Sequence, residues 1–77
     1  MQEIRSSRPV GFDWLAQVFQ CQAARNGGVI RRQVIDVVRE VGINAFVAEV
    51  QKRRFRLVRT DHHFVVICHD GPIEIVC

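Results

Sequence analysis

The side chains in this 77-residue chain that could do chemistry fall into two sets. The first is basic: Arg31-Arg32, Arg39, Lys52-Arg53-Arg54, Arg56 and Arg59, in a chain where ten of eleven basic residues are arginine. A guanidinium offers a planar fork of donors that matches phosphate or carboxylate, so this set suits an anionic surface. The net charge of +3 and pI near 9.2 point the same way. The second set is His62, His63, Cys68, His69 and Cys77, whose imidazoles and thiols are the usual zinc ligands. Spacing argues against a metal. His63 and His69 share a strand face but stand roughly 20 Å apart at about 3.3 Å per residue, beyond one coordination sphere. Cys21, Cys68 and Cys77 match neither a disulfide framework nor a paired C-x-x-C site, and read as free thiols in a reducing, cytoplasmic setting. No acid/base pair stands in a plausible cleft. The expectation is therefore no catalytic residue, no metal, no cofactor and no enzyme.

Length bounds the rest. Seventy-seven residues give one small core and exclude most enzyme scaffolds. The 48% apolar and 25% charged content is that of a chain that folds. The first residues carry no apolar leader and no run is long enough to span a membrane, so no membrane association is expected.

The elements that must position these side chains follow from periodicity. Residues 1–9, with Arg5, Ser6, Ser7, Arg8 and Pro9, have little to bury and read as a mobile arm. Asp13 is placed to N-cap a first helix, in which Trp14, Leu15, Val18, Phe19 and Gln22 form one stripe ending near Arg25 before Asn26-Gly27-Gly28. Residues 29–41 are β-branched yet spaced for a helix, with Ile30, Val34, Val37, Val38 and Val41 on one helical face, while a strand would bury Arg32 and Asp36. A very short strand is expected at Gly28 to Arg31, then a helix from about Gln33 to Val41. Gly42 ends it, Ile43-Asn44 link, and a third helix runs to Arg54 with Ile43, Phe46, Val47 and Val50 inward. The period then drops to two: Phe55 to Arg59 and His63 to Cys68 form a hairpin. Asp70-Gly71-Pro72 turns the chain into a last short strand at Ile73 to Cys77. Trp14, Phe19, Phe46, Phe55 and Phe64 are expected in the core. The middle strand is apolar on both pleat faces, which implies a second cover and suggests a homodimer through Val58, Val65, Ile67 and Val76.

Helix, short strand, helix, glycine turn, helix and hairpin is the element order of winged helix-turn-helix domains, which the chain resembles from Phe12 to His69. The carriers are Arg31 to Val50, with Gly42 at the inter-helix corner and Val38 and Val50 packing the two helices. The fold class expected is α+β: three helices followed by a small antiparallel sheet, with residues 10–77 as one winged-helix-like domain. The resemblance implies binding of duplex DNA by a transcriptional or mobile-element regulator, the third helix entering the major groove. Asn44 would read adenine, Ala48 (or Ala45) a thymine methyl, and Gln51 a further base edge. Phosphate contacts would come from Arg31, Arg32, Arg39, Lys52, Arg53, Arg54, Arg59 and His62, with His63 beside them, and the Arg5–Arg8 arm would reach a minor groove. Glu49 departs from this pattern, since it opposes phosphate. The alternative reading is a protein-interaction adaptor using the sheet's apolar outer face or edge. Asp61-His62-His63-Phe64 is also similar to small toxin ribonucleases of the HicA kind, which would make His62 catalytic. That family has a Gly-Ser-His loop and a helix after its last strand, and this chain has neither. The run Arg8-Pro9-Val10-Gly11-Phe12-Asp13-Trp14-Leu15 is similar to short proteins labelled phosphoribosylanthranilate isomerase, an activity of barrels that this length does not build.

Overall fold

The first amphipathic stripe folds as two helices rather than one, in a computed structural model that describes residues 9–77. Helix α1 spans Gly11–Val18 and α2 spans Gln22–Asn26. The expected continuous helix to Arg25 is thus broken at Phe19–Cys21. There the amides of Phe19 and Gln20 donate three residues back, to Ala16 and Gln17. The break serves packing. Phe19 is buried with its ring 6.0 Å from that of Phe46 and 6.2 Å from that of Phe55, and α2 turns to lay Ala23 and Ala24 against the core. Gly28 eases this approach, because a Cβ there would stand 3.1 Å from the Ala23 Cβ, a tight contact.

Asp13 is not the N-cap of α1. Val10 holds that place without a side-chain bond, and Asp13 stands exposed in the first turn. The helix start is satisfied from a distance instead, the Gly11 amide donating to Glu40 Oε1 at 3.1 Å. A carboxylate at a helix N-terminus both accepts an orphan donor and opposes the dipole.

Strand β1 covers Val29–Gln33, two residues longer at its end than expected, and passes directly into helix α3, Val34–Glu40. The helical face is as expected at Val34, Val37 and Val41 but not at Val38: Val37 is fully buried, whereas Val38 is 53% exposed and does not pack the two helices. Because the helix starts only at Val34, Val34, Val37 and Val41 set its inward stripe, and Ile30 is buried from the strand. Gly42, at φ 86° and ψ 157°, forms the corner before α4, Ile43–Lys52. Ile43 and Asn44 therefore open the helix and are not a link. The helix ends two residues short of Arg54, which sits in the left-handed region at φ 63°.

Strands β2 (Arg56–Arg59) and β3 (His63–Ile67) complete a three-stranded antiparallel sheet in the order β1-β3-β2. The fold class is α+β; among the described residues there are four helices where three were expected, and the first strand lies between helices as expected. Strand β3 is central, pairing Val29 with Ile67 on one side and Arg56 with Ile67 on the other. Alternation sorts its side chains. Phe64 and Val66, with Cys68 beyond the strand end, are buried under the helices, while His63, Val65 and Ile67 are half-exposed on the outer face. The last strand expected at Ile73 to Cys77 does not form; residues 72–77 carry no strand, and Ile75 and Val76 are 88% and 86% exposed. Both edges of β3 are taken by β1 and β2, so the returning segment cannot form a hairpin with β3, and it joins the free edge of neither outer strand. Val76 consequently stands outside the sheet face on which Val58, Val65 and Ile67 lie.

The core joins Leu15, Val18, Phe19, Ile30, Val37, Phe46, Val50, Phe64, Val66 and Cys68, with Trp14, Phe55 and Leu57 packed against it. Burial pushes the Cys68 thiol above its ordinary pKa, Cys21 adding to the effect and Arg53 opposing it. No helix among the described residues is long and apolar enough to cross a membrane.

Candidate nucleic-acid interface

Helix α4 buries Phe46 and Val50 and leaves Asn44, Ala48 and Gln51 exposed, at i, i+4 and i+7 along its opposite side. This spacing puts the three on one stripe. Lys52 is exposed at the end of the same helix. Glu49, next to that stripe, does not stand as a bare negative charge: its Oε2 is 2.7 Å from Arg53 Nε. Arg53 also lies over the Phe19 ring, 4.7 Å from its centroid, so its guanidinium is held by a carboxylate and a ring at once.

The strand registers decide where the other arginines go. Arg32 and Arg59 are the cross-strand neighbours of Phe64 on either side, on the sheet face that the helices cover. The Arg59 guanidinium lies 5.4 Å over the Phe64 ring, and that ring is 5.4 Å from Phe46 of α4. The sheet thus brings Arg32 and Arg59 to the two flanks of one aromatic that packs directly on α4. Arg32 Nη1 donates to the Arg31 carbonyl and Arg32 is half-buried.

The remaining sequence-derived candidates are placed elsewhere. Arg31 pairs with Val65 and projects from the outer face, opposite to α4. Arg39 is bound to Asp36 at 2.9 Å and lies 3.4 Å from Glu40. Arg54 is exposed beyond the end of α4. His62 is exposed in the turn between β2 and β3, which is tight: the Thr60 amide donates to the His63 carbonyl and the His63 amide to Thr60 Oγ1. Of the dimer-face candidates, Val58 is 47% exposed and Val65 and Ile67 are half-exposed, all on the outer face. The expected arm contacts of Arg5–Arg8 lie outside the described residues.

One feature escapes sequence reading altogether. The Val34 amide donates to the His62 carbonyl, docking the β2–β3 turn against the start of α3. Gln33, Val34, Ile35, Asp61, His62 and His63 line an open groove of about 570 Å³ there. No sequence signal marks it, because it depends on the pairing of Gln33 with His63. The described residues hold no group of three or more His, Cys, Asp or Glu side chains placed to share a metal ion.

Comparison of the chain with protein-family models, with curated proteins and with solved structures finds no match.

Proposed function

We propose that the chain is a small winged-helix-like protein that binds duplex DNA, acting as a transcriptional or mobile-element regulator, with α4 as its groove-reading helix. The element order, the strand order β1-β3-β2 and the glycine corner between α3 and α4 support the winged-helix reading. The observation that carries it is the exposed stripe Asn44–Ala48–Gln51 on a helix whose packed side meets Phe64 between Arg32 and Arg59. Asn44 and Gln51 supply amide groups able to bond a base edge bidentately, and Ala48 a methyl for apolar contact. Arg32, Lys52, Arg54 and Arg59 are the phosphate contacts that fix orientation, with His62 at the hairpin turn touching the flanking backbone. Arg39 and Arg53 already carry carboxylate partners and add little. Arg31 faces the far side of the sheet and contributes only long-range attraction.

Four phosphate-neutralising cations imply a slope of log affinity against log salt of about −4, hence on the order of a hundredfold weakening between about 50 and 200 mM salt. Fluorescence anisotropy with a labelled duplex measures this directly. Absence of salt-dependent binding at the lower salt defeats the proposal, as does binding that survives simultaneous charge reversal of Arg32 and Arg59.

The adaptor reading is favoured by a different surface. Val29 and Val58 are 59% and 47% exposed on the outer sheet face, which carries Arg31 but neither Arg32 nor Arg59.

A further inference from the structure

Among the described residues, the outer sheet face and the segment that follows the sheet are both uncovered and apolar, and they are complementary. The outer sheet face presents Val29, Val65, Ile67 and Val58 at its centre with Arg31 and Arg56 among them, and no carboxylate stands on any of its three strands. The segment after the sheet, Ile73-Glu74-Ile75-Val76, is apolar with one acid, has strand composition, and is 88% and 86% exposed at Ile75 and Val76. It leaves the fold from the rim of that same face, where Arg56 Nη2 donates to the Gly71 carbonyl at 3.3 Å. Four extended residues span roughly 13 Å, enough to cross three strands spaced about 4.8 Å apart.

We propose that the outer sheet face docks the 73–76 segment of a second copy of this chain, each copy giving its segment and receiving the other's in a two-fold pair. A molecule that carries both a donor segment and an acceptor face, each uncovered, meets the self-complementarity that a two-fold interface requires. The sheet face alone is too small: three strands of four or five residues cover roughly 15 by 17 Å, well short of the roughly 800 Å² per partner of a stable interface. Reciprocal exchange adds two apolar segments to the buried surface. Glu74 then meets Arg31 or Arg56 of the other copy, whereas face against face alone would oppose arginine to arginine. This pairing stands independently of DNA binding.

The test is the mass in solution at high micromolar concentration, by sedimentation equilibrium, of the full chain and two variants. Ile75→Asp with Val76→Asp alters only side chains that touch almost nothing, so its fold is intact. Val58→Asp alters the acceptor face at a half-exposed position. The expected result is a dimer for the native chain and a rise in dissociation constant of about tenfold or more for each variant, since each places a charge in the docked apolar surface. A native chain that stays monomeric overturns the proposal, including the case in which the segment folds onto its own face. So does a dimer indifferent to the segment variant, which would assemble through another surface. So does a dimer sensitive to the segment variant but not to Val58→Asp, in which the segment docks elsewhere.

Discussion

Glu40 shows how one residue can carry a contact that no local pattern announces. It lies 29 positions from the amide it accepts, its side chain is only 4% exposed, and it closes the start of α1 against the end of α3. Glu40→Ala leaves the Gly11 amide part-buried and unpaired, and is expected to lower unfolding free energy by about 1–3 kcal/mol in chemical denaturation. Phe46 is the residue on which the aromatic core turns, fully buried between Phe19 and Phe64. Its replacement by alanine is expected to cost about 3–5 kcal/mol, near the whole stability of a domain this small. Cys68 sets an alkaline limit. Its folded pKa is raised, so the native state favours the protonated thiol. The contribution is full below the unfolded pKa of about 8.5 and is lost as pH rises through the folded value. Thermal unfolding followed against pH should show stability falling on that alkaline side, and Cys68→Ala should flatten the fall.

At the scale of elements, the corner between α3 and α4 is the most consequential few atoms in the chain. Gly42 has a backbone conformation that is essentially reserved for glycine, and an added Cβ would meet nothing within 4 Å. The cost of Gly42→Ala is therefore conformational and not a clash, about 1–3 kcal/mol, and it is not relieved by trimming a neighbour. A double variant restoring nothing but space around residue 42 should leave the loss unchanged. Helix α4 behaves in the opposite way. Asn44→Ala and Gln51→Ala touch no packed atom and should change stability by less than about 0.5 kcal/mol. Should α4 read DNA, each replacement should cost about 1–3 kcal/mol of discrimination between preferred and altered sites while leaving the salt slope unchanged. Competition binding with single-base variants of a selected duplex measures that. A loss equal on every sequence would mean the two residues do not touch bases.

For the whole molecule, the decisive arrangement is the sheet order. Placing β3 between β1 and β2 puts Arg32 and Arg59 on either side of Phe64, sends Arg31 to the opposite face, and leaves β3 no free edge for a hairpin with residues 73–76. Combining Arg32→Glu with Val58→Asp should therefore weaken duplex binding and self-association separately, with nearly additive effects, because the two residues lie on opposite faces of the sheet. Anisotropy and sedimentation on the single and double variants check this. The sequence by itself determined what short-range periodicity encodes: that a helix from about Gln33 to Val41 and another running on to about Arg54 meet at a glycine corner, that period two begins at Phe55, and that Asn44, Ala48 and Gln51 face away from Phe46 and Val50. These follow because a helix or strand repeats its own geometry residue by residue. Only the tertiary structure decided that the first helix breaks so that Phe19 can enter between Phe46 and Phe55, that Val37 and not Val38 is buried, that Glu40 rather than Asp13 satisfies α1, and that the last apolar run stays unpaired. Each of those outcomes depends on which distant partner fills a space or a hydrogen bond, and spacing along the chain carries no record of that.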